Sequence, residues 1–465
     1  MELVGHDDLQ GRSAYQPTPH LQRGRWIAYV GHHGGRARNP LTGVDEDNGT
    51  SIVDVTDPTK PRYLAHIPGA PGGSEQGGAQ MVRVCEGDTL PRGAKGKTYL
   101  LRTLGNAVPD AGHEIWDVTD PAAPKKLATV VSGLRTTHKN FWECDTGTAY
   151  LVSGDLAKAE PIEPGRSGWR TGRMTKIYDL SDPAKPVFIR DFGLAGQEPG
   201  STGPIPVPQG VHGPIARGNR VYFAYGTSSD GVLQIVDRQK LLTGPKEPTA
   251  ANLALPEISR LPLSPNWGGH TAFPLLGVTI PDYAANTHGK VRDFVVAVSE
   301  ATQNECREFR HVTFFVDVTT ETRPFAVSNF QVPESTGEFC KRGGRFGPHS
   351  SNESFASIFY RKMVFIAYFN AGVRAVDVRD PYTPREVAFY IPATTAKTAE
   401  RCVASQVGAP AGATNGTRSC KVAIQTNNVE VDDRGLVYLA DRANTGLHIV
   451  KLTGAAARIV GETEG

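Results

Sequence analysis

One phrase returns five times along this chain: Asp54-Val-Thr-Asp-Pro-Thr-Lys-Pro61, Asp117-Val-Thr-Asp-Pro-Ala-Ala-Pro124, Asp179-Leu-Ser-Asp-Pro-Ala-Lys-Pro186, Asp317-Val-Thr-Thr-Glu-Thr-Arg-Pro324 and Asp377-Val-Arg-Asp-Pro-Tyr-Thr-Pro384. Each follows a short β-branched or aromatic run, such as Ser51-Ile-Val or Phe314-Phe-Val, and most precede another, such as Val187-Phe-Ile. That pattern reads as strand, Asp-Pro turn, strand. The hairpin recurs about every 60 residues, a period too long for a helical solenoid and close to one four-stranded propeller blade with generous loops. Turn chemistry accounts for the phrase, because Asp accepts hydrogen bonds within a turn and Pro presets φ.

The strand before each hairpin is the third of four, so a second strand is expected upstream of it. Seven are visible: Arg25-Trp-Ile-Ala-Tyr-Val30, Thr98-Tyr-Leu-Leu-Arg102, Ala149-Tyr-Leu-Val-Ser153, Val221-Tyr-Phe-Ala-Tyr225, Asp293-Phe-Val-Val-Ala-Val298, Val364-Phe-Ile-Ala-Tyr368 and Val437-Tyr-Leu-Ala440. The expected fold is all-β, a single seven-bladed β-propeller of four-stranded blades spanning 1–465. The blades are expected at about 1–68, 78–130, 136–194, 210–262, 268–333, 347–393 and 424–462. Two blades lack the full phrase: Leu233-Gln-Ile-Val-Asp-Arg238 runs into a short Lys240-Leu-Leu segment, and the last ends with His448-Ile-Val-Lys-Leu452 and Ala457-Arg-Ile-Val460, read as strands. The phrases resemble the LVIVD-repeat family of bacterial secreted or periplasmic proteins. The resemblance covers most of the chain and implies a β-propeller, but no single activity.

Composition narrows the partners. A formal net charge of +2 without a long Lys/Arg block offers no polyanion-binding surface, so nucleic acid is not an expected partner. The longest apolar run, Met363-Val-Phe-Ile-Ala-Tyr-Phe369, is strand-length, far short of the roughly 18 residues of a membrane span. The N-terminal residues lack the layout of a secretory signal, so the expectation is a periplasmic or secreted protein if a signal has been removed and a cytoplasmic one otherwise. Cys402 and Cys420 bracket one insertion and Cys306 and Cys340 fall in rim loops, which makes two disulfides plausible; Cys85 and Cys144 end the first strands of neighbouring blades, which could also bring them together. Six free thiols are the alternative. Asn48-Gly-Thr50, Asn352-Glu-Ser354 and Asn415-Gly-Thr417 match the glycosylation acceptor pattern.

The chemistry is expected just upstream of the second strands, where each first strand begins beside the axis. Four successive blades place a histidine there: His138, His212, His270 and His349; the others place Gln16, Gln80, and Asn427 or Asn428. First strands converge on the axis, so the four imidazoles are expected to meet and hold one transition-metal ion, iron first and copper, manganese or zinc as alternatives. The layout resembles that of the carotenoid-cleaving oxygenases, in which four blades of a seven-bladed propeller each give one His to iron. His32 and His33, Glu300 and Asp155 end second strands on the same rim and are candidate catalytic groups beside the metal. Glu143, Glu353 and Glu75 are candidates to orient ring nitrogens. The leading expectation is a metal-dependent enzyme, an iron and dioxygen oxidoreductase acting on a small organic substrate, with a non-redox hydrolase or lyase close behind. The alternative is a non-catalytic secreted interaction propeller whose rim loops bind protein or glycan.

Overall fold

A computed structural model of the chain describes residues 1–108, 111–155, 168–204, 210–227, 230–263, 267–281, 289–404 and 418–461. The repeated phrase makes the turn that its residue types dictate. The first Asp accepts a hydrogen bond from the amide two residues on in all five copies, as Asp54 does from Thr56 at 3.0 Å and Asp317 from Thr319 at 2.9 Å. In four copies the second Asp does the same, as Asp57 does from Thr59 at 3.0 Å. Each turn joins the third and fourth strands of an antiparallel unit.

Among the described residues there are seven such four-stranded units. The first comprises Ala14–Gln22, Arg25–Gly34, Thr50–Asp54 and Arg62–Ile67, and the third Thr137–Trp142, Thr148–Ser153, Met174–Asp179 and Val187–Phe192. All seven expected second strands occupy that place. The innermost strand of each unit packs on the innermost strand of the next, and the last, Thr426–Val431, packs on the first, Ala14–Gln22, closing the ring. Seven apolar layers fill the seven junctions: Tyr29 with Leu100, Leu101 with Leu151, Tyr150 with Val221, Tyr222 with Val295, Phe294 with Val364, Phe365 with Val437, and Tyr438 with Ala28. The chain is a β-propeller, a ring in which each sheet buries both faces against its neighbours.

The last blade differs from the sequence expectation. Ala457-Arg-Ile-Val460 lies in a helix, Gly454–Gly461, and the outer strand is Glu2–Asp7, which pairs with Gly446–Lys451. The two chain ends therefore meet in one sheet, and residues 2–7 belong with the blade expected at 424–462 rather than with 1–68. In the fourth blade the missing phrase is replaced by two short helices, Arg238–Thr243 and Ala250–Ala254.

The six cysteines form three disulfides, Cys85–Cys144, Cys306–Cys340 and Cys402–Cys420. Such pairs persist in oxidising compartments. No helix of the described residues is long and apolar enough to cross a membrane. Asn48 and Asn352 are buried and hydrogen-bonded, to the His33 carbonyl and the Phe365 amide, so neither presents a glycan acceptor; the Asn415 triplet lies outside the described residues. The insertions 160–172, 198–209 and 394–419 lie partly outside them.

Candidate metal centre

The innermost strands carry a recurrent irregularity. In six of the seven blades the register slips where the first strand enters the sheet: Val211 pairs with Tyr225 and Gly213 with Ala224, so His212 is an extra residue, and His270 is extra between Gly269 and Thr271. The slips at Thr137/Asn140, Phe346/Ser350, Ala14/Pro17 and Thr426/Asn428 contain His138, His349, Tyr15-Gln16 and Asn427. A bulged residue leaves the in-out alternation of its strand and its side chain is re-aimed, here toward the axis. Gly347, beside His349, has φ 138° and a Cβ there would lie 2.6 Å from the Ala301 side chain, which explains the glycine at that bulge.

The four histidines come together. Their rings follow one another around the axis with centroids 4.4 Å apart for His138–His212, 3.7 Å for His212–His270 and 4.1 Å for His270–His349. The Nε2 atoms of His138 and His212 are 2.7 Å apart, near the ~3 Å expected of two nitrogens each ~2.1 Å from one ion at a right angle. His212 Nδ1 donates to the His270 carbonyl at 3.1 Å and His349 Nδ1 to the Asn427 carbonyl at 2.6 Å, leaving each Nε2 with its lone pair. The Nε2 of His270 is buried without a hydrogen-bond partner among the described residues, while its Nδ1 lies 2.8 Å from Thr271 Oγ1. Burial, with the charges of Arg173 and Lys139 nearby, pushes the His138 and His212 rings well below the usual imidazole range; His270 and His349 are lowered by burial first and by their ring and arginine neighbours after it. All four are neutral at physiological pH, the form that binds a metal.

Glu300 joins them. Ligand atoms of His212, His270 and Glu300 lie within 4.8 Å of one another, and Glu300 Oε1 is 3.6 Å from His349 Nε2. Burial raises the Glu300 carboxyl above the usual range, outweighing Arg345 at 3.1 Å. The donor set of imidazoles plus one carboxylate fits a first-row transition metal, and the buried unpartnered Nε2 of His270 is the atom a cation would satisfy.

His138, His212, His349 and Glu300 of the cluster form one side of a cavity of about 360 Å³ lined also by Tyr15, Glu75, Asn106, Arg173, Arg345 and Arg442, with Thr227, Thr302 and Gln303. Tyr15 is buried, with its hydroxyl 3.3 Å from His138 Nε2. It, rather than Gln16, faces the cavity in the first blade, since Gln16 turns to Glu430 at 3.0 Å. Further along the innermost strands and the loops that follow them, Lys139 and Arg83 pair with buried Glu353, and Glu430 accepts the amides of Glu353 and Ser354 at 3.1 and 3.0 Å. These ionic groups form a polar floor, so a ligand reaches the histidines from the rim.

The remaining sequence candidates, Glu75 apart, do not line the cavity. His32 is fully buried with Nε2 2.8 Å from Ser51 Oγ, within its own blade, and does not line the cavity. The strand Arg25–Gly34 ends against Ser74–Ala79 rather than at the mouth, which also keeps His33 behind Tyr15, its Nε2 3.7 Å from Glu75 Oε1. Asp155 is buried and accepts the Trp169 amide at 3.2 Å, so it anchors a loop instead of facing a ligand. Glu143 pairs with Arg238 and Glu353 with Lys139; neither orients a metal-facing imidazole, a task done for His212, His349 and His270 by backbone carbonyls and Thr271. Glu75 binds Arg442; burial works to raise its carboxyl, and Arg442 with His33 holds it well below the usual range. The residues that sequence reading passed over are Tyr15, Arg173 and Arg345. The bulge that displaces the alignment by one residue explains the first, and the two arginines lie in connections with no repeated motif.

No protein-family model matches the chain, and no curated relative does. Among solved structures, Sqt1 of Chaetomium thermophilum is 11% identical with a TM-score of 0.49, the match covering 97% of this chain and 98% of that one. The same protein bound to the N-terminus of ribosomal protein L10 is 10% identical with a TM-score of 0.48, covering 97% and 99%. The Cps50 (Swd1) propeller domain of Myceliophteria thermophila is 10% identical with a TM-score of 0.46, covering 95% and 98%.

Proposed function

We propose that the axial cluster is a mononuclear transition-metal centre that receives a small molecule from the rim. His212, His270 and Glu300 are its donor core, and His138 and His349 are the flanking imidazoles. The observation that carries this reading is the convergence of bulged histidines from four successive blades on one buried point, with the His270 Nε2 unpartnered. A bulge that interrupts the ladder to bury an imidazole is costly unless the group is used. Two histidines and a carboxylate with positions left open is the donor set of non-haem ferrous sites, so iron is the first metal and an iron and dioxygen oxidoreductase the first activity. A bound metal would supply Lewis acidity or electrons, while the residues around it set access and charge.

A non-catalytic propeller, which binds its molecule without turning it over, is supported by a separate observation. Both carboxylates of the cavity are engaged, Glu300 by Arg345 and Glu75 by Arg442, which leaves neither as an unencumbered base. Elemental analysis of protein purified without chelator tests the metal. Close to one ion per chain is expected, falling below about 0.2 in His270→Ala with the fold intact by circular dichroism. Wild-type protein that takes up none of iron, copper, manganese or zinc would leave the histidines structural. Dioxygen consumption by iron-loaded protein against a panel of small organic acids separates the enzyme from the binding module.

A further inference from the structure

We propose that Arg173, with Arg345 and Arg442 around it, forms an anion seat on the rim side of the histidines that takes the carboxylate of a small organic acid. The inference deepens the metal-centre reading by naming the class of molecule that shares the cavity, and it is tested without metal. Three guanidiniums line the cavity against two carboxylates. Arg345 is 3.1 Å from Glu300 and Arg442 is paired with Glu75, whereas the partner of the Arg173 guanidinium is the neutral Asn106 Oδ1 at 3.2 Å. No carboxylate pairs with Arg173 among the described residues.

The charges therefore leave one cation over. A partly desolvated guanidinium without a counter-ion is costly, and its planar fork of donors matches a carboxylate in a bidentate manner. Two further cations lie outside the cavity's lining. Arg401, which donates to the Arg442 carbonyl at 2.9 Å, has its guanidinium lowered to about 10 by burial and by Arg442. Lys139 lies under the histidines, but Glu353 neutralises it. One uncompensated positive charge suits a monoanion. A phosphate dianion would leave the metal-free cavity net negative. The cavity, about 360 Å³, is about a dozen waters in size at ~30 Å³ each, which admits a small acid and excludes a polymer. Asn106, Thr227, Thr302 and Gln303 provide hydrogen-bonding groups for the rest of such a molecule.

The experiment uses chelator-treated full-length protein titrated by calorimetry with benzoate, with its neutral isostere benzamide, and with inorganic phosphate. Benzoate is expected to bind, and to bind at least tenfold tighter than either of the others. Arg173→Gln is expected to weaken benzoate at least tenfold and Arg173→Lys to recover part of that loss. Phenylglyoxal labelling of the wild type, read by peptide mass spectrometry, provides a second measure that does not depend on the folding of Arg173→Gln: benzoate should protect Arg173 several-fold. Equal binding of benzamide, preferential binding of phosphate, undiminished benzoate binding in a folded Arg173→Gln protein, or no protection would each overturn the assignment. Failure of metal to bind, with benzoate protection intact, would overturn the metal centre and leave the anion seat standing.

Discussion

Glu300 and Asp155 show how carboxylates placed just beyond corresponding strands do two different jobs. Both follow the second strand of their blades, at Val291–Ser299 and Thr148–Ser153. Glu300 reaches the histidine cluster, while the shorter Asp155 accepts the Trp169 amide and holds a loop. Replacement should separate the two roles. Glu300→Gln keeps the shape but removes the charge, and metal affinity should fall by more than the roughly 10- to 100-fold seen when groups behind the ligands are altered. Competition with a chromogenic chelator measures it. Asp155→Asn should leave metal content unchanged and lower stability by at most about 1.5–3 kcal/mol, the net worth of a hydrogen bond to a charged group. Metal loss in Asp155→Asn with retention in Glu300→Gln would reverse the assignment.

At the scale of strands and turns, what was legible in the sequence is what local chemistry specifies. The Asp-Pro phrase announces itself because both its aspartates bond to amides two residues away, and the seven second strands are continuous apolar runs buried on both faces. Glu2–Asp7 carries no such mark, since its partner Gly446–Lys451 lies at the other end of the chain. Ala457-Arg-Ile-Val460 misleads because a short apolar run does not distinguish strand from helix. Four histidines in register were readable, but the bulge that presents them was not, and so Gln16 was read where Tyr15 stands. Covalent links are also of two kinds. Cys85–Cys144 joins the first strand of the second blade to the third blade, across 59 residues, whereas Cys402–Cys420 staples an isolated two-stranded hairpin, across 18. Loop-closure entropy assigns them about 4 and about 3 kcal/mol. Only the first should appear in full in global unfolding, because the hairpin can open without disturbing a blade. Denaturant titration of the paired Cys→Ser variants checks this; equal shifts would show that the hairpin unfolds with the ring.

For the molecule as a whole, the buried imidazoles set the response to acid. Beyond the four axial rings, His32, His33, His113 and His448 are each lowered to about 3, by burial first and by Arg12, Arg442, Lys176 and His6 respectively. In the unfolded chain they titrate near 6.5. Below that pH the unfolded state takes up protons that the native state refuses, so it binds more protons and stability falls as pH falls. Each such group contributes about 1.4 kcal/mol per pH unit, and three acting together remove a typical 5–15 kcal/mol within two to three units. Glu430 acts in the opposite direction. Raised to about 7 by burial, it lowers stability as pH rises from the unfolded carboxyl value near 4.5 toward 7, but it is one group against several. Carboxylates held low against partial burial, such as Asp54 at about 2 by hydrogen bonds from Thr56 and Arg25, add their loss only below about pH 4. The denaturant midpoint should therefore drop steeply between pH 6.5 and 5. Metal-loaded protein should lie above metal-free protein at pH 7, and the gap should persist over this interval, since the axial nitrogens stay neutral in the metal-free native state. Calorimetric unfolding at pH 5.5 in buffers of different ionisation enthalpy should register uptake of several protons per chain. Stability that stays flat from pH 7.5 to 5, or unfolding without proton uptake, would mean that these rings are not held neutral in the native propeller.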